Sequence, residues 1–283
     1  MEYTIDNGTL AVTVSTRGAE LQSVKFNGKE RLWQNETGEW AGHSPVLFPY
    51  CGAFGVKVDG KIYEAPAHGL CKKTEFAFVE KGENYLTFAF ASTEETRKVF
   101  PYDFLFKVSY KIEGATLFVT YEVDNTGDRE LPFSCGGHES FILDGDVDEY
   151  KLVFAEEETF VHRPHGDDAM LTGESVVLGT GKELVIPREI LLGGNTVILE
   201  NIRSDSLKLC TLSGEEKAFV EFEGFPHLLL WRPSGRAKMV CIEPWHNLPD
   251  LTGTEPCELK DKPDMTLLPA GESKKIVRKI EYK

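Results

Sequence analysis

Three short segments carry histidine and acidic side chains beside glycine or proline, where the flanking sequence has the pattern of β-strands. They are residues 67–70, 135–141 and 241–250. Glycines next to His68 and His138 allow a backbone or a ligand to approach closely. Glu243 follows the apolar run 239–242, so the end of a buried strand can present its carboxylate. An imidazole and a carboxylate together indicate general acid–base chemistry, because a pocket can tune the pKa of either group towards neutrality.

Other chemistries can be written for the same polar residues. Glu139 and Glu243 would suit glycoside hydrolysis if their carboxyl groups lay roughly 5 to 10 Å apart. Cys135 and His138 have the spacing of half a zinc site, but the chain has no second half. Segment 162–168 holds two histidines and two aspartates, yet a proline and a glycine inside it mark a turn, so we interpret it as a polar surface loop. We therefore predict neither a metal site nor a cofactor.

Short β-strands must position these segments. Apolar and polar residues alternate strictly along 106–112 and, after Gly114, along 117–123, which predicts a β-hairpin. Similar strand-like runs recur at residues 10–14, 85–90, 207–212, 218–222 and 276–280. The one helical stretch is 92–99, where Thr93 can cap the helix and a following proline ends it.

No linker rich in proline, glycine or serine divides the chain, and strand-like spacing continues from Tyr3 to Tyr282. With 41% hydrophobic and 27% charged residues, the chain can bury a large core. We therefore predict an all-β fold, a β-sandwich with little helix, as one large antiparallel domain over residues 1–283.

The charge and the cysteines limit the partners and the compartment. A formal net charge of −15 repels nucleic acid and anionic membrane surfaces, so we expect neither as a partner. The chain start lacks the pattern of a signal peptide, and no stretch approaches the roughly 20 apolar residues that span a bilayer. Six widely spaced cysteines favour free thiols in a reducing compartment over a secreted disulfide framework. A cytoplasmic location is therefore expected.

Short motifs in a fixed order resemble one known family. They are residues 17–24, 32–34, 45–49, 68–69, 136–141, 242–245, 249–250 and 268–272, which together span nearly the whole chain. Their order and spacing resemble those of the aldose 1-epimerases with the galactose mutarotase-like fold, in particular the LacX-like branch. The resemblance implies a β-supersandwich and an isomerase that interconverts the α and β anomers of an aldohexose without a metal or a cofactor.

Residue by residue, the resemblance makes His138 the general acid, Glu243 the general base and His68 a second histidine near the sugar ring. In mutarotation a proton leaves the anomeric hydroxyl while another reaches the ring oxygen, and the open aldehyde rotates about its C1–C2 bond before it recloses. An imidazole and a carboxylate can exchange these roles in the return step. The implied partner is a small-molecule sugar, and the oligomeric state is not indicated.

Three positions depart from the pattern of the LacX-like relatives. Ala53 follows Gly52 where many relatives carry arginine, so one sugar-binding donor is missing. Lys72 stands where relatives often have arginine, and lysine cannot reproduce the bidentate fork of a guanidinium. Asn195 stands where aspartate is common, which keeps a hydrogen-bonding group and removes a charge. We expect Lys72 and Asn195 to bind the sugar, but these departures leave its identity open.

Two alternative functions remain open. A hexose-6-phosphate mutarotase would need a cationic phosphate pocket, for which the available donors are Lys57, Lys61, Lys72 and Lys73. A non-catalytic carbohydrate-binding protein would keep the fold and lose turnover.

Four tryptophans could contribute aromatic faces to a sugar site. Trp231 and Trp245 are the candidates for stacking on a sugar ring, and Trp231 is assigned to the binding site. Trp33 and Trp40 are assigned to the core.

Overall fold

The computed structural model describes residues 1–283 and consists mainly of β-strands and connecting loops. It contains 21 strands, one α-helix and four 3₁₀ turns. The strands are β1 (Glu2–Asp6), β2 (Leu10–Ser15), β3 (Leu21–Phe26), β4 (Lys29–Glu30), β5 (Val56–Val58), β6 (Lys61–Tyr63), β7 (Ala77–Lys81), β8 (Tyr85–Ala91), β9 (Phe104–Glu113), β10 (Thr116–Asn125), β11 (Leu131–Phe133), β12 (Glu139–Ile142), β13 (Tyr150–His162), β14 (Val176–Val185), β15 (Val197–Leu199), β16 (Ser206–Thr211), β17 (Glu216–Glu221), β18 (His227–Trp231), β19 (Met239–Trp245), β20 (Thr266–Leu268) and β21 (Ser273–Tyr282). The helix is α1 (Glu94–Arg97), and the 3₁₀ turns are Cys71–Lys73, Val147–Glu149, Leu192–Gly194 and Leu259–Asp261. None of the helices is long and apolar enough to cross a membrane.

One large antiparallel sheet dominates the fold. Its 13 strands follow the order β12-β19-β18-β15-β13-β16-β17-β21-β10-β9-β8-β7, with β14 paired to β13. Strands β1 to β4 form a second sheet, and β5 with β6 and β11 with β20 form two small pairs. All pairings between these strands are antiparallel. The predicted all-β antiparallel fold with little helix is confirmed.

The predicted hairpin is formed by β9 and β10, which pair from Phe104 with Asn125 to Glu113 with Thr116. Alternate residues of both strands are buried, because successive side chains of a strand point to opposite faces of the sheet. The other five predicted strand-like runs lie in β2, β8, β16, β17 and β21. The alternating pattern therefore located seven of the 21 strands, and two of the predicted runs extend one residue beyond the strand end.

The single α-helix forms inside the predicted stretch and is shorter than expected. The Thr93 hydroxyl accepts a hydrogen bond from the Thr96 backbone N–H at 3.2 Å, and the Thr96 hydroxyl accepts one from the Thr93 backbone N–H at 2.7 Å. This reciprocal capping box starts the helix, as Thr93 was predicted to do. The helix ends at Arg97, shortly before Pro101.

The main hydrophobic core extends from Ile5 near one end of the chain to Tyr282 near the other. Phe48, from the segment before β5, stacks on Phe106 of β9 with ring centroids 4.1 Å apart. The chain thus packs loop segments as well as strands onto the large sheet. All six cysteines are unpaired, as expected, and only Cys257 is exposed.

Candidate active site

The antiparallel register of β12 and β19 brings His138 and Glu243 together. Glu139, the first residue of β12, pairs with Ile242 of β19. His138, one residue before Glu139, therefore lies opposite Glu243, one residue after Ile242. Nε2 of His138 and Oε1 of Glu243 are 3.3 Å apart. Every residue of β19 is buried, so Glu243 projects from a strand that is packed along its whole length.

Burial controls the protonation of this pair. Burial lowers the pKa of His138 well below its usual value, and the nearby His68 lowers it further. Burial raises the pKa of Glu243 well above its usual value, and the charge of Glu139 adds to the rise. Both shifts favour the neutral forms, whereas the contact between the two side chains favours the ion pair. In either form His138 and Glu243 share one exchangeable proton.

His138 and Glu243 lie in the wall of a cleft with a cavity volume of about 480 Å³, within the roughly 300–1,000 Å³ typical of small-molecule sites. All the residues assigned to the site from the sequence line this cleft, namely His68, Lys72, His138, Asn195, Trp231 and Glu243. The remaining lining residues are Trp40, Pro45, His165, Gly166, Asp167, Ala169, Gly194, Thr196 and Trp245. Segments that are distant in sequence therefore meet in one polar cleft with aromatic walls.

His68 lies in a tight turn in which its own φ is +65°. Its Nδ1 accepts a hydrogen bond from the Gly52 N–H at 3.2 Å, which leaves the ring proton on Nε2. Burial lowers the pKa of His68 to about 4, with Lys72 as a second cause, so the ring is a neutral donor. Gly69 permits the turn, because a Cβ there would lie 2.1 Å from the Phe48 carbonyl oxygen.

Two tryptophan rings enclose His138. Trp231 donates a hydrogen bond from Nε1 to the Gly194 carbonyl at 2.8 Å. Trp40 stacks on the His138 ring with centroids 5.4 Å apart and meets Trp231 edge-on at 5.0 Å. Trp40 is half-buried and packs against the small apolar cluster that contains Trp33, in line with its assignment to the core, but its ring also lines the cleft. Trp33 is buried, as predicted.

The position of Trp40 follows from how its loop is held. Glu39 accepts hydrogen bonds from Arg236 at 2.5 Å and from the Ser234 hydroxyl at 2.6 Å. Gly42 leaves room for the indole, because a Cβ there would lie 2.5 Å from the Trp40 ring. Contacts to a distant loop thus place Trp40 at the cleft.

The segment interpreted as a polar surface loop also forms one wall of the cleft. His165, Gly166 and Asp167 line it. Nε2 of His165 accepts a hydrogen bond from the Thr196 backbone N–H at 3.0 Å, which ties this loop to the segment that carries Asn195. The two histidines and two aspartates in so short a turn were the feature of the sequence that could have indicated a place in the site.

Next to the pair, Glu139 is engaged in a buried ion pair with Arg278. Arg278 donates two hydrogen bonds of 2.6 Å to the Glu139 carboxylate and one of 2.7 Å to the Tyr121 hydroxyl. Neither Glu139 nor Arg278 lines the cleft. The glycosidase alternative, which needs Glu139 and Glu243 as a free pair of carboxylates, is therefore not supported.

Neither Cys135 nor any residue of segment 162–168 belongs to a group of three donors close enough to hold a metal ion. The Cys135 thiol lies 3.6 Å from Nδ1 of His246. The one group of side chains close enough to hold a metal ion is His138, Cys241 and Glu243, whose donor atoms lie within 4.8 Å of one another. Cys241 was not singled out in the sequence, where it reads as a small core residue.

Known proteins share this fold and chain length. The family model described as aldose 1-epimerase matches residues 1–259. The chain belongs to the aldose 1-epimerase family. This family member is 29% identical to two Lactococcus lactis subsp. lactis proteins, Protein LacX, chromosomal, and Protein LacX, plasmid, over 97% of its own length and 97% of each of theirs.

Two solved structures are similar to this aldose 1-epimerase family member over its entire length. One is a galactose mutarotase related enzyme from Lactobacillus acidophilus, with a TM-score of 0.91 and 28% identity over 97% of that chain. The other is a galactose mutarotase-like protein from Lactobacillus casei ATCC 334, also with a TM-score of 0.91 and 28% identity, over 100% of that chain. The expected galactose mutarotase-like fold is confirmed.

Proposed function

We propose that the protein is an aldose 1-epimerase that interconverts the α and β anomers of an unphosphorylated aldohexose in this cleft. The observation that carries the proposal is the 3.3 Å contact between His138 and Glu243 in the wall of a cleft of sugar-binding character. The anomeric oxygen and the ring oxygen of a pyranose are both bonded to C1. An acid and a base that serve them must therefore be close neighbours, as these two side chains are.

The proposed reaction begins with the proton on His138 and with Glu243 ionised, a state reached by a proton shift across the contact. Glu243 takes the proton from the anomeric hydroxyl while His138 gives its proton to the ring oxygen. The bond from C1 to the ring oxygen breaks and the aldehyde forms. After rotation about C1–C2 the hydroxyl attacks the other face, His138 takes back the hydroxyl proton, and Glu243 protonates the new anomeric oxygen.

The other lining residues hold the sugar. His68 offers its Nε2–H as a neutral hydrogen-bond donor, Asn195 offers an amide, and Lys72 offers a cationic donor near the rim. Trp231 presents an aromatic face on which the apolar face of a sugar can pack. The Trp245 ring also lines the cleft and offers a second aromatic face.

Anomer exchange measured by NMR or polarimetry tests the proposal. The wild-type protein should accelerate the α/β relaxation of at least one free aldohexose. Glu243→Gln should lower the rate by about 100- to 10,000-fold, the usual contribution of general acid–base catalysis. Glu183→Gln, which changes an exposed carboxylate on β14, is the matched control and should keep full activity. Relaxation at the uncatalysed rate with every aldohexose would exclude the enzyme.

The hexose-6-phosphate alternative has less support. Of its four candidate lysines only Lys72 lines the cleft, Lys57 and Lys61 lie on the β5–β6 pair, and Asp167 adds a negative charge to the lining. We expect glucose to exchange faster than glucose 6-phosphate in the same assay. The opposite order would favour the phosphorylated substrate.

A non-catalytic sugar-binding protein is the second candidate, because Ala53 and Asn195 replace polar groups common in relatives. Calorimetric binding of an aldohexose without accelerated exchange would support it. For either function, six unpaired cysteines support a reducing, cytoplasmic location.

A further inference from the structure

Cys241 adds a third metal-binding donor to the pair formed by His138 and Glu243. Cys241 and Glu243 are two residues apart on β19, so their side chains leave the same face of the strand. The Cys241 sulfur, a ring nitrogen of His138 and a carboxylate oxygen of Glu243 all lie within 4.8 Å of one another. Two of the three residues line the cleft, which gives a cation a path from solvent.

We propose that His138, Cys241 and Glu243 form a binding site for a soft divalent cation of the Zn²⁺ type, with a fourth position open to the cleft. Three protein ligands and one exchangeable position are typical of accessible zinc sites. Bonds of about 2.0–2.3 Å in tetrahedral geometry place donor atoms about 3.3–3.8 Å apart. The contact between His138 and Glu243 already measures 3.3 Å. A sulfur bonded at about 2.3 Å lies about 3.6 Å from a nitrogen or oxygen bonded at about 2.0–2.1 Å. The separations from Cys241, at most 4.8 Å, therefore need to shorten by up to about 1.2 Å.

The donor charges balance a divalent cation. On binding, the Cys241 thiol and the His138–Glu243 pair each release one proton to solvent, so that Cys241 binds as a thiolate, Glu243 as a carboxylate and His138 as a neutral imidazole. Two negative charges then cancel the two positive charges of the ion, which suits a buried site because an unbalanced buried charge is costly. The Cys241 side chain packs in a small apolar cluster with Trp33 and Met239, so binding breaks no polar contact there.

The donor types also select the cation and set how long it stays. Thiolate and imidazole favour Zn²⁺ over Mg²⁺ and Ca²⁺. Nδ1 of His138 is buried without a hydrogen-bond partner, so the site lacks the outer contact that orients the imidazole in tight zinc centres. The cation therefore binds reversibly. Because it takes the donor atoms of His138 and Glu243, it inhibits epimerisation, and this consequence alone rests on the proposed function.

Cobalt(II) binding to the full-length protein tests the site directly. The titration uses Cys257→Ala protein, which lacks the only exposed thiol. We expect one equivalent of Co²⁺ to produce the near-ultraviolet absorption of a thiolate-to-cobalt charge transfer, which Zn²⁺ displaces and excess Mg²⁺ does not. Absence of this absorption overturns the proposal.

Variants identify the ligands. Cys241→Ala and Cys241→Ser should each remove the absorption and weaken Zn²⁺ binding in calorimetry by at least about tenfold, the lower end of what loss of even an outer-shell partner costs. Cys210→Ala, at a buried thiol that does not line the cleft, is the matched control and should change neither. Absorption that survives in a folded Cys241 variant overturns the proposal. If both Cys241 variants fail to fold, His138→Gln is the test variant instead. Loss of the cobalt absorption in His138→Gln supports the site, and persistence of the absorption overturns the proposal.

The outcomes separate this inference from the proposed function. Protein that binds Co²⁺ as described but does not accelerate anomer exchange overturns the proposed function alone. Protein that is active but gives no cobalt absorption overturns the cation site alone.

Discussion

Replacing Arg278 removes the only ion-pair partner of a buried carboxylate. Arg278→Met keeps a long, flexible apolar side chain but removes two hydrogen bonds to Glu139 and one to Tyr121. Glu139 is 2% exposed and would keep one hydrogen bond, from the Ser44 hydroxyl at 3.2 Å. Breaking a buried ion pair from one side leaves an uncompensated charge and costs about 3–5 kcal/mol of unfolding free energy.

Urea unfolding at neutral pH measures this loss. We expect the unfolding free energy of Arg278→Met to fall by about 3–5 kcal/mol, with an unchanged denaturant slope. Lys208→Met is the matched control, since it breaks the exposed pair with Glu216 at 2.9 Å and should cost no more than about 1 kcal/mol. The double variant Glu139→Gln/Arg278→Met removes both charges and should recover most of the loss.

A loss of less than about 1 kcal/mol in Arg278→Met, the range of exposed pairs, would contradict this expectation. A double variant no more stable than the single one would contradict it as well. Either result would mean that Glu139 is not held as a charged group by Arg278.

Three further predictions concern residues near the site. Gly137→Ala would place a Cβ 2.3 Å from the guanidinium of Arg278, so denaturant titration should show a loss of about 1–3 kcal/mol, and an unchanged midpoint would contradict this. Burial lowers the pKa of His246 from 6.5 to about 4, so its neutral form contributes stability that is complete above pH 6.5 and is lost as the pH falls towards 4. Between pH 6.5 and pH 4 the unfolding free energy of His246→Asn should therefore fall by about 3 kcal/mol less than that of the wild type. Equal losses in the two proteins would rule out this role for His246. Trp40→Ala should lower kcat/KM for anomer exchange by about two- to tenfold, the equivalent of about 0.5–1.5 kcal/mol of lost aromatic packing, and an unchanged value would remove Trp40 from the sugar site.

The strands could be predicted because a sheet imposes a period of two on the sequence. In β9 and β10 every second residue is buried, and such a face must be apolar to stabilise the core. His138 and Glu243 could be predicted for a different reason, since each lies inside a short family motif. Their direct contact then depends on one pairing register, that of β12 with β19, which local sequence does not reveal.

Trp40 and the loop with His165 and Asp167 could not be placed at the cleft from the sequence. Which loops converge depends on contacts between segments far apart, such as the hydrogen bonds that join Glu39 to Arg236 across 197 positions. Tryptophan is highly buried on average, so the residue type favoured the core for Trp40 although its sequence neighbours are mostly polar, and its place at the cleft was missed.

Unlike the position of Trp40, the burial of Arg278 could have been predicted from the sequence. Along β21 the buried face includes Ile276, Arg278 and Ile280, so the alternation itself places Arg278 on the core side. A buried arginine requires a partner for its charge, and an acidic side chain is the usual one. The pattern could therefore have predicted that one acidic residue packed near β21 is not free for chemistry.

Two buried carboxylates, Glu139 and Glu243, lie near each other on β12 and β19, and their partners give them different roles. If both were unpaired, mutual repulsion would force one of them to keep a proton. Arg278 cannot give up its proton, so it holds Glu139 as a fixed charge, whereas the imidazole of His138 can pass a proton to and from Glu243. Arg278→Met alone should therefore lose both stability and epimerase activity, because the uncompensated charge on Glu139 disfavours the ionised base. The double variant that regains stability should regain activity as well, since it leaves Glu243 as the only carboxylate of the two.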